Sequence, residues 1–187
     1  MWVTLPAYFD SHSDHPRLLE VLNHLLAEQM PDGGWNCRRR FGAVHSSVHT
    51  TMSVLDAIGE ALARKLGPIS KLRAAQAHAI EFLLAHRLLK SDRTGKVIRE
   101  DFTRFSFPPR WHYDVLRALD YLRTTKFIHD PRLADAFALL ERRRDKTDRW
   151  RLQNRHRGVT FFEMEKVGQP SRWNTLRALR CLRAREG

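Results

Sequence analysis

The sequence predicts an all-α chain of six main helices arranged as three helix pairs. Two observations carry that expectation: leucine-rich stretches recur at helical spacing, and similar stretches return with a period near sixty. A third is negative, since no segment shows the alternation of an amphipathic strand. The 187 residues suit a single domain, 1–187, with units at about 14–65, 70–125 and 130–185.

The earlier helix of each pair is the simpler to place. Asp14 or His15 with Pro16 opens the first, which carries Leu18, Leu19, Leu22, Leu25 and Leu26. Ser70 after Pro68 is read as the cap of the second, with Leu72, Ala75, Ala79, Phe82 and Leu83 on one face. Asp130-Pro131 places a cap before a proline in the first turn of the third, followed by Leu133, Ala136, Phe137 and Leu140. Polar turns close them at Asp32-Gly33-Gly34-Trp35, Asp92-Arg93-Thr94-Gly95 and Asp145 to Trp150. Long loops follow at 36–46, 96–110 and 151–170, and loops of that length are often functional.

The later helices carry the repeat. Leu55, Leu116 and Leu176 align, and Leu-Arg-Ala-Leu occurs at both 116–119 and 176–179. Leu55, Ile58 and Ala61, then Leu116, Leu119 and Leu122, then Leu176, Leu179 and Leu182 each draw one apolar stripe. Ser171 after Pro170 is a good N-cap, and Pro108-Pro109 keeps any helix from running into Trp111. Helices with one stripe alternate with helices of broader apolar face, which predicts two concentric layers.

Composition narrows the function classes. Hydrophobic residues make up 42% and charged residues 29%, which is a globular balance rather than a disordered one. The uncharged run from Phe41 to Leu55 is too short and too polar to span a membrane, and Met1 to Asp10 has no signal-peptide pattern. Cys37 and Cys181 stand far apart, so a reducing, cytoplasmic setting is expected. The formal charge is +12, and residues 138–187 hold 14 Lys or Arg against 6 Asp or Glu. That field attracts phosphate, on a small diphosphate or on nucleic acid, although no zinc-finger, RNP-like or basic-zipper signature is present.

Gln29-Met30-Pro31-Asp32-Gly33-Gly34-Trp35 resembles the Gln…Asp-Gly-x-Trp repeat of squalene and other terpenoid cyclases. Arg110 to Asp114, Gln153 to His156 and Pro170 to Asn174 are similar to the squalene-cyclase-like, or prenyltransferase-repeat, proteins of bacteria. The resemblance implies a partial α/α toroid whose later helices line a concave cavity, with an isoprenoid or other apolar, phosphorylated or unphosphorylated, ligand inside. The Asp-x-Asp-Asp motif with which cyclases protonate substrate is absent. Cys37, His45, His49 and Asp56 offer zinc-binding atoms without matching the prenyltransferase pattern, so neither a metal nor a cofactor is expected, and enzymatic activity is left open. Three pairs do not close a ring. That predicts a homo-oligomer or a missing N-terminal half.

Candidate chemistry gathers at the starts of the later helices. His112 and Asp114 are read as base and orienter in the first turn of the second, with Trp111 and Tyr113 shaping a pocket. His49, Arg172, Trp173 and Asn174 are the matching ligand-binding candidates. Glu163, which shares the segment Phe161-Phe162-Glu163-Met164-Glu165 with a second carboxylate, joins the catalytic set beside Asn154. Arginine pairing competes for Glu163, space-filling competes for the tryptophans, and a helix cap competes for His49. Two alternatives to ligand binding stay open: a noncatalytic interaction module on the same scaffold, and a charge-driven nucleic-acid binder.

Overall fold

The computed structural model describes residues 16–158 and 161–187. Among them six α-helices form: α1 (Pro16–Ala27), α2 (Val48–Ala63), α3 (Ile69–Ala85), α4 (Val115–Leu122), α5 (Ala134–Arg142) and α6 (Arg172–Glu186). The fold is mostly helical, as expected. It also holds one small antiparallel sheet, β1 (Trp150–Arg151) against β2 (Pro170–Ser171), with Trp150 opposite Ser171. Two-residue strands are too short to leave an alternation in the sequence. The chain divides into two compact units, one up to Leu83 and the other from Leu84 onward.

In the first unit, α1 buries Leu18 and Leu22, and α2 buries Met52, Leu55, Ile58 and Ala61. The expected caps at Asp14 or His15 lie outside the described residues. The turn after α1 has a mechanical reason for each of its residues. The Gln29 side-chain amide donates to the carbonyls of Gly33 at 2.7 Å and Ala75 at 2.9 Å, which fixes the turn against α3. Gly33 sits at φ +94°, and a Cβ there would lie 2.6 Å from the His78 carbonyl oxygen, so only glycine fits. Asp32 accepts from the Ser46 backbone N–H at 2.8 Å and from its hydroxyl. Burial pushes its carboxyl up, but the Ser46 hydrogen bonds and neighbouring backbone N–H groups together hold it below the usual range. Ser47 caps α2 by accepting from Thr50.

α3 begins at Ile69, so Ser70 lies within its first turn rather than at its cap. Pro68 takes the boundary position instead, its carbonyl accepting from the Leu72 N–H.

In the second unit α4 is the central element, with Val115, Leu116, Ala118, Leu119 and Leu122 fully buried. α6 packs on it, and Arg177 of α6 reaches Asp120 of α4 at 3.3 Å. Asp130 caps a short 3-10 turn, Pro131–Leu133, which leads into α5. Ser171 caps α6 by accepting from Asn174.

The caps set the true register of the repeat. Ser47, Asp114 and Ser171 each precede a later helix and each accepts from the N–H three residues on. Counted from these caps, Met52, Leu119 and Leu176 correspond, and so do Leu55, Leu122 and Leu179. The alignment of Leu55 with Leu116 and Leu176 is therefore corrected. Leucines three residues apart look the same after a shift of three or six residues, about one turn or two, so a sequence match alone does not fix the register.

Candidate functional site

Trp111, His112 and Tyr113 precede α4 instead of forming its first turn, because Asp114 is its cap. That corrects the expected base-and-orienter geometry on a helix start. Asp114 is buried, and its two oxygens accept from the Arg117 N–H at 2.8 Å, the Ser106 N–H at 3.1 Å and the Ser106 hydroxyl at 2.7 Å. The carboxylate ties the preceding loop to the start of α4. Tyr113 is buried as well, donating from its hydroxyl to the Leu88 carbonyl at 2.6 Å while its ring meets Phe102 edge-on at 4.8 Å.

The polar rings assemble next to them. His112 stacks on Trp111 at 3.7 Å and, on its other side, on His156 at 3.6 Å with the two imidazoles 6° from parallel. Burial lowers both histidines' pKa; nearby Arg110 adds to this for His112, and the facing imidazole of His112 adds to it for His156. The Nε2 of His156 is buried without a hydrogen-bond partner.

His156 belongs to the wall of a cleft of about 260 Å³ within the second unit. Phe107, Pro108, Leu152, Phe161, Phe162 and Met164 give the cleft an apolar lining, and Arg110, Arg155, Glu163 and Glu165 supply its charges. Glu163 pairs with Arg155. Glu165 differs from it: its side chain is only 8% exposed. One oxygen accepts from the Arg172 N–H at 2.8 Å, at the start of α6 where helix N–H groups favour a negative charge. The other, Oε2, is buried and unpartnered. Glu165 thus brings a buried carboxylate oxygen with no donor among the residues that line an apolar cleft, and such an acceptor is costly to leave open.

The remaining candidates divide. Trp173 stacks on Phe107 of the cleft wall, with centroids 5.0 Å apart and rings 9° from parallel. Arg172 is exposed beside Glu165, while Asn174 is buried and donates to the Phe105 and Arg151 carbonyls. Asn154 lies on the loop next to the cleft, bridged to Ser106. His49 sits in the first turn of α2, in the first unit, where its carbonyl accepts from the Ser53 hydroxyl at 3.1 Å. Phe107, Arg110 and His156 were not among the expected site residues. The Pro-Pro segment after Phe107 and the aromatic pair Phe161-Phe162 were visible, but nothing in the spacing said that these loops meet.

Among the described residues no group of three or more His, Cys, Asp or Glu is placed to hold a metal ion, and no helix is long and apolar enough to cross a membrane. No protein-family model, curated protein or solved structure matches the chain.

Proposed function

We propose that the cleft of the second unit binds an apolar, isoprenoid-class molecule whose head group is a neutral or cationic hydrogen-bond donor. The unpartnered Oε2 of Glu165, held against an apolar wall, is the observation that carries this reading. Phe107, Phe161, Phe162 and Met164 take the hydrocarbon part, and exclusion of water from that wall supplies the affinity. Glu165 accepts the hydroxyl or amine. A diphosphate head is disfavoured at that end by the Glu163 and Glu165 charges, although Arg110 and Arg155 on the same wall give an anion another place to sit.

The toroid-family reading is a proposal on the same footing. Its support is an internal match: Trp35 and Trp150 make the same hydrogen bonds in the two units. Each indole N–H donates at 2.7 Å to a leucine carbonyl of the preceding helix, Leu25 or Leu140. Each backbone N–H donates to a threonine hydroxyl of the following helix, Thr51 at 3.0 Å or Thr175 at 3.1 Å.

The test is a ligand titration read by thermal shift and by tryptophan fluorescence, with farnesol, farnesylamine and farnesyl diphosphate as probes. Farnesol or farnesylamine is expected to raise the melting temperature in a saturable way. Glu165→Gln is expected to weaken that binding about tenfold, because a glutamine can keep its oxygen on the Arg172 N–H only by turning its NH₂ toward the ligand's donor. Stronger binding of the diphosphate than of the alcohol overturns the head-group assignment. No saturable shift with any of the three overturns the reading.

A further inference from the structure

One face of α6 is unlike its counterparts in the other two repeats. At the positions that correspond by their caps, Met52 and Leu55 of α2 and Leu119 and Leu122 of α4 are all 0% exposed. Leu176 and Leu179 of α6 are 41% and 45% exposed, and Trp173 one turn earlier is 37% exposed. Spaced three apart, these side chains form a ridge along the outward side of the helix. The opposite side is occupied: Asn174, Arg177, Ala178 and Cys181 are its buried residues.

The charges on that outward side are of one sign. Arg172 precedes the ridge, and Arg180 and Arg183 continue it, all three exposed. The arginine on the helix's buried side, Arg177, is neutralised by Asp120 of α4, whereas α6 itself carries a single acidic residue, Glu186. A second copy of this chain is a poor occupant. Parallel pairing through the ridge would place arginine against like arginine, and antiparallel pairing would set Arg172 against Arg183. Like charges facing across an interface are costly.

We propose that this face docks an acidic amphipathic helix of a partner protein. Two or three apolar side chains at helical spacing on the partner cover Leu176 and Leu179, and Asp or Glu residues beyond them meet Arg172 at one end and Arg180 and Arg183 at the other. This is helix-against-helix recognition in which apolar anchors give affinity and the flanking charges choose the partner and its direction. Arg172 and Trp173 at the start of α6 touch Glu165 and Phe107 of the cleft, but Leu176, Leu179, Arg180 and Arg183 do not line it, so variants at those four positions test this face apart from the ligand reading.

The experiment uses the full chain and two fluorescein-labelled peptides of identical composition. One places Leu at i, i+3, i+4 and i+7 with Glu between them; the other scrambles the order so that no apolar face forms. Fluorescence anisotropy is expected to show the amphipathic peptide binding at least about tenfold tighter than the scramble. Leu176→Gln and Leu179→Gln are each expected to reduce that preference several-fold while lowering the melting temperature only slightly, because both residues are already close to half exposed. Arg180→Gln with Arg183→Gln is expected to weaken binding and flatten its salt dependence. Equal binding of the two peptides, or leucine variants that bind like the unaltered chain, overturns the proposal. So does a self-associated species, seen by sedimentation, that Leu176→Gln disperses, since a second copy would then own the face. Competition by duplex RNA that is indifferent to both leucines would likewise reassign the surface.

Discussion

The indole N–H of Trp150 donates to the Leu140 carbonyl at 2.7 Å, and this helix-end carbonyl also accepts from the Arg143 N–H at 3.2 Å. Trp35 donates likewise to the Leu25 carbonyl, also at 2.7 Å, and the Tyr113 hydroxyl to that of Leu88 at 2.6 Å. In each case a buried aromatic on the following segment donates to a carbonyl at or just past the C-terminal end of the earlier helix. Trp150→Phe keeps most of the ring and deletes the donor. It is expected to cost about 1–2 kcal/mol, the loss of one buried hydrogen bond plus a small loss of packing. Urea unfolding measures it, and Trp35→Phe is expected to give a loss of the same order.

Asp114 separates a structural carboxylate from a catalytic one. Asp114→Ala deprives the Ser106 and Arg117 donors of their acceptor and is expected to cost about 2–4 kcal/mol, well beyond an exposed cap, because the site is buried. Asp114→Ser keeps a capping oxygen and is expected to recover part of that loss. If farnesol binding by the folded Asp114→Ser protein matches that of the unaltered chain, the carboxylate is holding the loop and not the ligand. Thermal melts and the ligand titration together decide.

These residues also mark where the sequence stopped being informative. The Gln29 to Trp35 turn was legible because Asp32, Gly33 and Gly34 punctuate it, whereas its contacts to Ala75, Ser46 and Thr51 lie far along the chain and left no local sign. Ser171 and Asp130 were legible as caps because proline stands beside each of them. Asp114 was not, since an acid following a histidine reads as chemistry until Ser106 is seen to fold back onto it. The leucine register misled, because three-residue leucine spacing survives a shift of one turn or two. The cleft was hidden for a different reason. Phe107 comes from the loop at 96–110 and His156 and Glu165 from the loop at 151–170, and loop-to-loop contacts leave no periodicity to read.

The two cysteines are expected to differ sharply toward thiol reagents. Cys181 is fully buried on the inner side of α6, and burial pushes its thiol up to about 12. Cys37 is exposed. Since only the thiolate reacts at an appreciable rate, Ellman's reagent at neutral pH is expected to titrate one thiol quickly and the second only with unfolding. Fast reaction of both in the folded protein would contradict the packing of α6 on α4.

The His112–His156 stack gives stability a pH dependence of definite sign. Burial, and then neighbouring positive charge, lowers both imidazoles below their ordinary value of 6.5. In the unfolded chain both take up protons near that value, so between the lowered folded values and 6.5 the unfolded state binds more protons than the folded one. Stability from this pair is therefore complete above pH 6.5, falls as the pH drops below it, and stops falling once the folded imidazoles are also protonated. Two stacked rings 3.6 Å apart would each resist a charge on the other, which sharpens the loss. His156→Phe keeps an aromatic ring on His112 and removes one titrating group. Melting temperatures taken from pH 7.5 to pH 5 are expected to fall less steeply for His156→Phe than for the unaltered protein. Parallel curves for the two proteins would show that the acid sensitivity resides elsewhere.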